Sequence, residues 1–261
     1  METKAHNNIH PVDHVLCTDL LPSVWCAGCG IGTVVYSFIE AVRDAGIDQD
    51  RLQLLTGSGC TSHVTDYLRM RSKRSKNRYL MDLASDMQLA EPDSHVVVFM
   101  NNSDLLISGA EDLAHAIRRG ARIVVIHVNN ILYIMTNTGP LANTPYTRPS
   151  WDGNFQLPFN MPHLAISYGA NYVARWTPLH AGWLKYSIAE AFAKKGVALI
   201  EVVAPCLLYE ATGGSIGYAI ERIKFYDSCA VMKSNAPLQE LDIRESKYIA
   251  VGEIFDGGYN E

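Results

Sequence analysis

Four cysteines stand at spacings suited to metal chemistry. Trp25-Cys26-Ala27-Gly28-Cys29-Gly30 puts two thiols three positions apart in a glycine-rich turn, just before a segment of helical periodicity. Gly28 and Gly30 let such a turn close tightly enough for both sulfurs to converge, and a helix N-terminus favours the negative charge of thiolates. Cys60 follows Thr56-Gly57-Ser58-Gly59, and Cys206 closes Ala204-Pro205-Cys206. Both come directly after apolar segments that read as strands. In a parallel sheet they would share the carboxyl edge, where open α/β sheets hold their ligands. Four converging thiolates suit a [4Fe–4S] cluster or tetrahedral zinc, and spacing leaves both open beside the plainer reading of four unrelated buried cysteines. Cys17 and Cys229 have no companion at ligand spacing and read as free thiols.

Positioning such residues requires elements, and the chain alternates strand and helix patterns. Val35, Phe38, Ile39 and Val42 mark a helix over 31–45, closed by Gly46. Residues 52–55 form a short apolar strand. His95 to Met100 is a continuous apolar run of the kind buried on both faces of a parallel sheet. Leu106, Ala110, Leu113 and Ile117 mark a helix ending at Arg118-Arg119-Gly120. Arg122 to Val128 is the next strand, 178–195 a helix, and Val197 to Val203 another strand. The alternation predicts an α/β fold, a mostly parallel twisted sheet with helices on both faces. Residues 129–162, rich in Asn, Thr, Pro and Gly, form a long connection of the kind that carries function. Residues 1–206 make the α/β domain. Residues 207–261 lack a clear period and read as a C-terminal arm packed on the same domain or on a partner subunit.

Composition narrows the class. The chain has 261 residues, 48% hydrophobic and 19% charged, with a net charge of −5, so it has enough apolar material for a substantial core and is too acidic for a bulk nucleic-acid binder. No apolar run approaches the roughly 20 residues of a membrane span, and the N-terminal residues carry no signal-peptide stretch. The expected location is cytoplasmic, where six cysteines serve as ligands or free thiols rather than as disulfides.

At Trp25-Cys-Ala-Gly-Cys-Gly-Ile-Gly32 the chain resembles the β subunits of the 2-oxoacid:ferredoxin oxidoreductases, which are thiamine-diphosphate enzymes. The resemblance runs on through Gly57-Ser-Gly-Cys-Thr-Ser62, His115-Ala-Ile-Arg-Arg119, Val128-Asn-Asn-Ile-Leu-Tyr-Ile-Met-Thr136 and Glu201-Val-Val-Ala-Pro-Cys206. It implies the diphosphate-domain fold of thiamine enzymes, with a [4Fe–4S] cluster on Cys26, Cys29, Cys60 and Cys206. It also implies cofactor contacts from Gly28, Gly30, Ser58, Gly59, Ser103, Asp104, Tyr133 and Thr136.

A second motif of that family grips the Mg²⁺-diphosphate of thiamine through an Asp of Gly-Asp-Gly, an Asn side chain and a backbone carbonyl. Hard oxygen ligands are what Mg²⁺ takes. By the resemblance the ligands here are Asn102, Asn130 and the carbonyl of Leu132. The chain departs from the pattern: Asn101-Asn102-Ser103 replaces Gly-Asp-Gly, followed by Asp104, a further acid common in the family. Asn102 offers an oxygen without the charge, and Asp104 is a competing ligand. Thr136-Asn-Thr-Gly139 and Lys76-Asn77-Arg78 also differ from the family's Thr-Gly-Gly-Gln and His-Gly-Arg.

The resemblance implies oxidative decarboxylation of a 2-oxo acid to an acyl-CoA, with electrons leaving through the cluster to a ferredoxin or similar carrier. The activating glutamate is then expected on an α subunit that carries the pyrimidine-binding domain. A different class stays open: a paralogue without thiamine diphosphate, acting as an electron-transfer or assembly subunit. A zinc-stabilised binding module is the third reading. Arg69, Arg71, Lys73, Arg74, Lys76 and Arg78 form a basic run, read as a solvated face or subunit contact, against docking of an acidic carrier or a coenzyme A phosphate tail. His63, His115 and His127 read as packing residues.

Overall fold

Alternation along the central strands creates two faces that must both be covered. In β3 (His95–Asn101), Val97 and Phe99 enter one hydrophobic cluster while Val96, Val98 and Met100 enter a second. In β4 (Ile123–Asn129), Val124, Ile126 and Val128 join the first, and Ile123 and Val125 the second. Strands apolar on both sides belong between two helical layers. A computed structural model of the chain has this arrangement. It describes residues 12, 15–75, 79–102, 104, 110–130, 160–206, 216–243 and 248–258.

The remaining strands are β1 (Leu52–Thr56), β2 (Arg71–Arg74), β5 (Tyr172–Trp176), β6 (Val197–Val203), β7 (Ala230–Met232) and β8 (Ile249–Asp256). They lie in the order β2-β1-β3-β4-β6-β5-β8-β7. From β2 to β5 all pairings are parallel; β8 runs antiparallel to β5, and β7 lies parallel to β8. One face carries α1 (Ile31–Asp44) and α6 (Ala181–Ala193), whose Val34, Phe38 and Ile39 share a core with Leu184, Ile188 and Phe192. Phe38 meets Phe99 edge-on, with ring centroids 5.3 Å apart. The other face carries α3 (Leu80–Ala90), α4 (Ala110–Arg118) and α5 (Met161–Tyr168), through Leu80, Met81, Leu113, Ala116, Met161 and Ala165. A four-residue α2 (Val64–Tyr67) follows β1, and α7 (Ile216–Cys229) precedes β7. Among the described residues no helix is long and apolar enough to cross a membrane.

Strand order locates the crevice. The chain leaves β1 toward β2 on one side, and leaves β3 toward β4 on the other. Adjacent parallel strands whose connections diverge form the switch point at which α/β sheets bind ligands beyond their carboxyl ends. The residues at that point are Gly57 to Cys60 after β1 and Asn101 to Asp104 at the end of β3.

Two stretches differ from the sequence reading. β2 falls in the basic run: Arg-Ser-Lys-Arg is exposed throughout and has no apolar alternation, so pairing with β1 alone makes it a strand. Charged side chains there protect a sheet edge from adding another chain. The C-terminal stretch, read as aperiodic, contains α7, β7 and β8, and β8 hydrogen-bonds β5 in the main sheet. Its pattern is disguised because Ile249, Ala250 and Val251 are all buried, and Gly252 (φ +146) lies close against Ser234. Most of the long connection after β4, residues 131–159, lies outside the described residues.

Candidate functional site

The first cysteine loop is set by its glycines. Cys29 N–H donates to the Cys26 carbonyl at 3.1 Å, and Gly28 (φ +92) and Gly30 (φ +84) take left-handed conformations that L side chains avoid. Gly30 caps α1 by accepting from Val34 N–H. A Cβ at Gly30 would stand 2.2 Å from Pro178 Cγ, so the loop sits directly on the turn after β5. Cys60 lies in a 3-10 turn over Gly59–His63. Gly59 is also left-handed (φ +61), and a Cβ there would meet the Asn101 amide nitrogen at 2.8 Å. The Trp25 indole N–H donates to the Cys60 carbonyl at 2.9 Å, tying the first cysteine loop to the second, and its ring leans on Tyr67 at 4.8 Å. Cys206 follows β6, where Ala204 N–H extends the ladder to the Asn129 carbonyl.

All four thiols are half-buried. Burial raises the Cys29 pKa, the Ile31 N–H opposes this, and Cys26 and Cys206 raise it further. Cys60 is pushed up to about 11, first by burial and then by Cys206, Cys29 and Cys26. Charges raise one another's pKa only at short range, so the four cysteines lie in one neighbourhood. Among the described residues no three His, Cys, Asp or Glu side chains come close enough to hold a single metal ion.

Beside this neighbourhood lies the end of β3. Asn102 is fully buried, and its amide oxygen is 3.0 Å from His127 Nε2. Behind it, His127 Nδ1 is 3.7 Å from Glu201, which accepts from Asn129 Nδ2 at 2.8 Å and from Arg175 Nε. Arg175 also donates from Nη1 to the Leu241 carbonyl at 2.6 Å. Burial holds the His127 pKa down to about 4; Glu201 pulls it up and Arg175 pushes it down. Asp104 is bound to the Ser58 turn and to Asn101, and burial raises its pKa against those hydrogen bonds. At the end of β4 the Asn130 amide oxygen is buried with no hydrogen-bond partner among the described residues.

The structure thus brings together Cys26, Cys29, Cys60 and Cys206, and sets Gly28, Gly30, Ser58 and Gly59 in the loops that carry three of them. Asn101, Asn102, Asp104 and Asn130 occupy the adjoining strand ends. Ser103, Leu132, Tyr133, Thr136, Lys76, Asn77 and Arg78 lie outside the described residues. In the basic run, Arg71 pairs with Glu91 and Arg74 with Asp66, so part of its charge is neutralised locally. Of the histidines read as packing residues, His127 is fully buried, whereas His63 bonds Asp66 and His115 lines a surface groove. Both lie on outward helical turns, where polar partners and solvent are within reach. Sequence reading missed Trp25, Pro178 and the Arg175–Glu201 pair. The last had a signal, since a lone charge inside an apolar strand such as Val-Ala-Leu-Ile-Glu-Val-Val has to find a partner.

The fold and this edge define a thiamine-enzyme diphosphate domain, and residues 79–202 match the family model described as thiamine pyrophosphate enzyme, C-terminal TPP binding domain. The chain is 37% identical to the 2-oxoglutarate synthase subunit KorB of Archaeoglobus fulgidus, over 73% of this chain and 72% of that protein. It is 33% identical to the 2-oxoglutarate synthase subunit KorB of Methanocaldococcus jannaschii, over 95% and 93% of the two chains. A solved structure of 2-oxoglutarate:ferredoxin oxidoreductase from Magnetococcus marinus, with 2-oxoglutarate, coenzyme A and succinyl-CoA bound, superposes with a TM-score of 0.80 at 19% identity, covering 98% of this chain and 88% of that one. The chain belongs to the β-subunit family of the 2-oxoacid:ferredoxin oxidoreductases.

Proposed function

We propose that this chain is the cofactor-binding β subunit of an oxidoreductase that decarboxylates a 2-oxo acid to an acyl-CoA and passes the electrons through a [4Fe–4S] cluster. What supports the reading most is that the Cys60 turn, whose thiol lies in the neighbourhood of the other three, is bonded to the Asn101–Asp104 strand end at the switch point. The donor set fits the cluster. Zinc on four thiolates would draw the sulfurs to about 3.8 Å apart, the edge of a tetrahedron with bonds of about 2.3 Å. Four half-buried cysteines are the donor set that a [4Fe–4S] cluster takes.

The oxygen set suits Mg²⁺. Asn130 presents a buried oxygen without a donor among the described residues, and Asn102 brings an amide oxygen held in place by His127. The Leu132 carbonyl is the third ligand in this reading, with Ser103, Tyr133 and Thr136 on the cofactor. When bound, thiamine diphosphate supplies the carbanion stabilisation that cleaves a 2-oxo acid next to its carbonyl. The chain's own residues hold the metal and orient Asn102 through His127. They also keep Cys60 within the same rigid edge. The activating glutamate comes from an α subunit with the pyrimidine-binding domain, and the electrons go to a ferredoxin or similar carrier in the cytoplasm. Full burial of Asn102, without a carboxylate, favours the second reading, a paralogue that transfers electrons or assists assembly without thiamine.

Cofactor content of the α-containing complex, prepared anaerobically, decides between them. The expected result is one cluster's iron and sulfide together with stoichiometric thiamine diphosphate. Replacing Cys26, Cys29, Cys60 or Cys206 by Ser should remove iron, whereas Cys17→Ser and Cys229→Ser should not. Iron without thiamine diphosphate at any Mg²⁺ concentration would establish the second reading, and zinc without iron would refute both.

A further inference from the structure

The Asp104 carboxylate accepts from Ser58 N–H at 2.9 Å (Oδ1) and 3.2 Å (Oδ2), from the Ser58 hydroxyl at 2.7 Å, and from Asn101 N–H at 3.2 Å. The contacts also run the other way. The Asn101 amide nitrogen donates to the Ser58 carbonyl at 2.6 Å, and its amide oxygen accepts from Asp104 N–H at 3.2 Å. The turn after β1 and the end of β3 therefore hold each other from both sides. Two glycines make room for this contact. A Cβ on Gly57 would lie 2.3 Å from the Asp104 carboxylate, and one on Gly59 would lie 2.8 Å from the Asn101 amide nitrogen.

Both carboxylate oxygens are engaged by these donors, and charge-assisted bonds of this kind are about twice as strong as neutral ones. Ligation of a metal by Asp104 would have to break them. Cys60 lies two residues beyond Ser58, and its turn is further fixed by Thr61 Oγ1 to the Ser58 carbonyl at 3.1 Å and by Ser62 Oγ to the Gly59 carbonyl at 2.7 Å. A shift of the Asp104 clamp thus moves a cysteine-bearing turn whose internal bonds are already made.

We infer that Asp104 is a positioning residue that clamps the Cys60 turn to the β3 end, and through it tunes the cluster, rather than a ligand of the diphosphate metal. The inference rests on the cluster reading above. It makes the two cofactor loops one mechanical unit, so a change at the β3 end is felt at Cys60.

The test uses the α-containing complex with wild type, Asp104→Asn and Ser58→Ala. The amide of Asp104→Asn turns one acceptor into a donor facing the Asn101 or Ser58 N–H, and Ser58→Ala removes the hydroxyl contact alone. Expected are wild-type iron content, an altered electron paramagnetic resonance spectrum and a displaced midpoint potential of the reduced cluster in Asp104→Asn. Ser58→Ala should give a smaller change in the same sense. Thiamine diphosphate affinity should change by less than about threefold. Loss of thiamine diphosphate binding in Asp104→Asn with an unchanged cluster spectrum would overturn the inference and make Asp104 a metal ligand. If Asp104→Asn does not assemble, Ser58→Ala decides, and a wild-type spectrum and potential in that variant overturn it. Iron-free wild type would instead remove the cluster reading itself.

Discussion

His127 Nε2 lies 3.0 Å from the amide oxygen of Asn102, and both side chains are fully buried. The imidazole therefore turns the oxygen at the motif's ligand position, and its Nδ1 faces Glu201 at 3.7 Å. Asn102→Asp places a carboxylate in this setting, able to accept from His127 with one oxygen and to meet Mg²⁺ with the other. Thiamine diphosphate binding to the α-containing complex should tighten about tenfold, or about 1.4 kcal/mol, at fixed Mg²⁺. The cofactor-free complex should lose stability, because the buried charge then lacks its metal. Calorimetric titration reads the first effect and thermal unfolding the second. Unchanged or weaker binding would mean that Asn102 serves His127 and not the metal.

Gly30 offers a test of how the first cysteine loop is seated. Its φ of +84 is unfavourable for alanine, and a Cβ would stand 2.2 Å from Pro178. Gly30→Ala should cost about 2 kcal/mol or more, from backbone strain and overpacking together. The loop holding Cys26 and Cys29 must shift to relieve the clash, so iron content should fall as well. By contrast Gly32→Ala, where a Cβ meets nothing within 4 Å, should leave both unchanged. Equal iron and equal denaturation midpoints for the two variants would contradict this account.

The sheet was legible where burial alone decides. Val96 to Met100 and Val124 to Val128 announce themselves because both faces of each strand are covered. β2 was not, because its residues are exposed and its strand character comes from the neighbour it pairs with. β8 was hidden by a glycine and a register shift opposite Val173 and Ala174. In the site, cysteine spacing and the family resemblance put four cysteines forward as candidates, since ligand geometry constrains sequence directly. What tied the loops together was not readable: Trp25 to Cys60, Gly30 to Pro178 and Asp104 to Ser58 span 35, 148 and 46 positions, and only the folded chain makes them neighbours.

Asp112 on α4 is buried, and its Oδ2 has no hydrogen-bond partner among the described residues. Burial raises its pKa to about 6, with Asp82 and Glu111 adding to the shift and His115 opposing it. An acid whose folded pKa lies above its unfolded value takes up a proton on folding between the two. Stability should therefore rise as pH falls from about 6 to about 4, and the ionised group should cost about 3 kcal/mol at pH 7. Asp112→Asn should recover much of that cost at pH 7 and flatten the slope in this window. Urea unfolding at pH 7.5 and pH 5 measures both, and identical slopes for variant and wild type would show that Asp112 is not the source.

The final prediction concerns the charges behind the site. Arg175 and Glu201 are 1% and 0% exposed, on neighbouring strands β5 and β6, and they hydrogen-bond directly. Burying two charges costs as much as their attraction returns, but removing one partner leaves the other without compensation. Glu201→Gln should thus destabilise by about 3–5 kcal/mol, because Arg175 then keeps its charge in the core without a carboxylate, against the Leu241 carbonyl. Arg175→Met should cost a similar amount by stranding Glu201 against Asn129 and His127. The double variant should cost less than the sum of the two, with a coupling of about 1–3 kcal/mol. Glu201 also holds Asn129, whose carbonyl accepts from Ala204 on the approach to Cys206. Glu201→Gln should therefore lower iron retention during anaerobic dialysis as well as the unfolding free energy. Strict additivity in the cycle would mean that each charge is held by its other contacts and that the pair does not act as a unit.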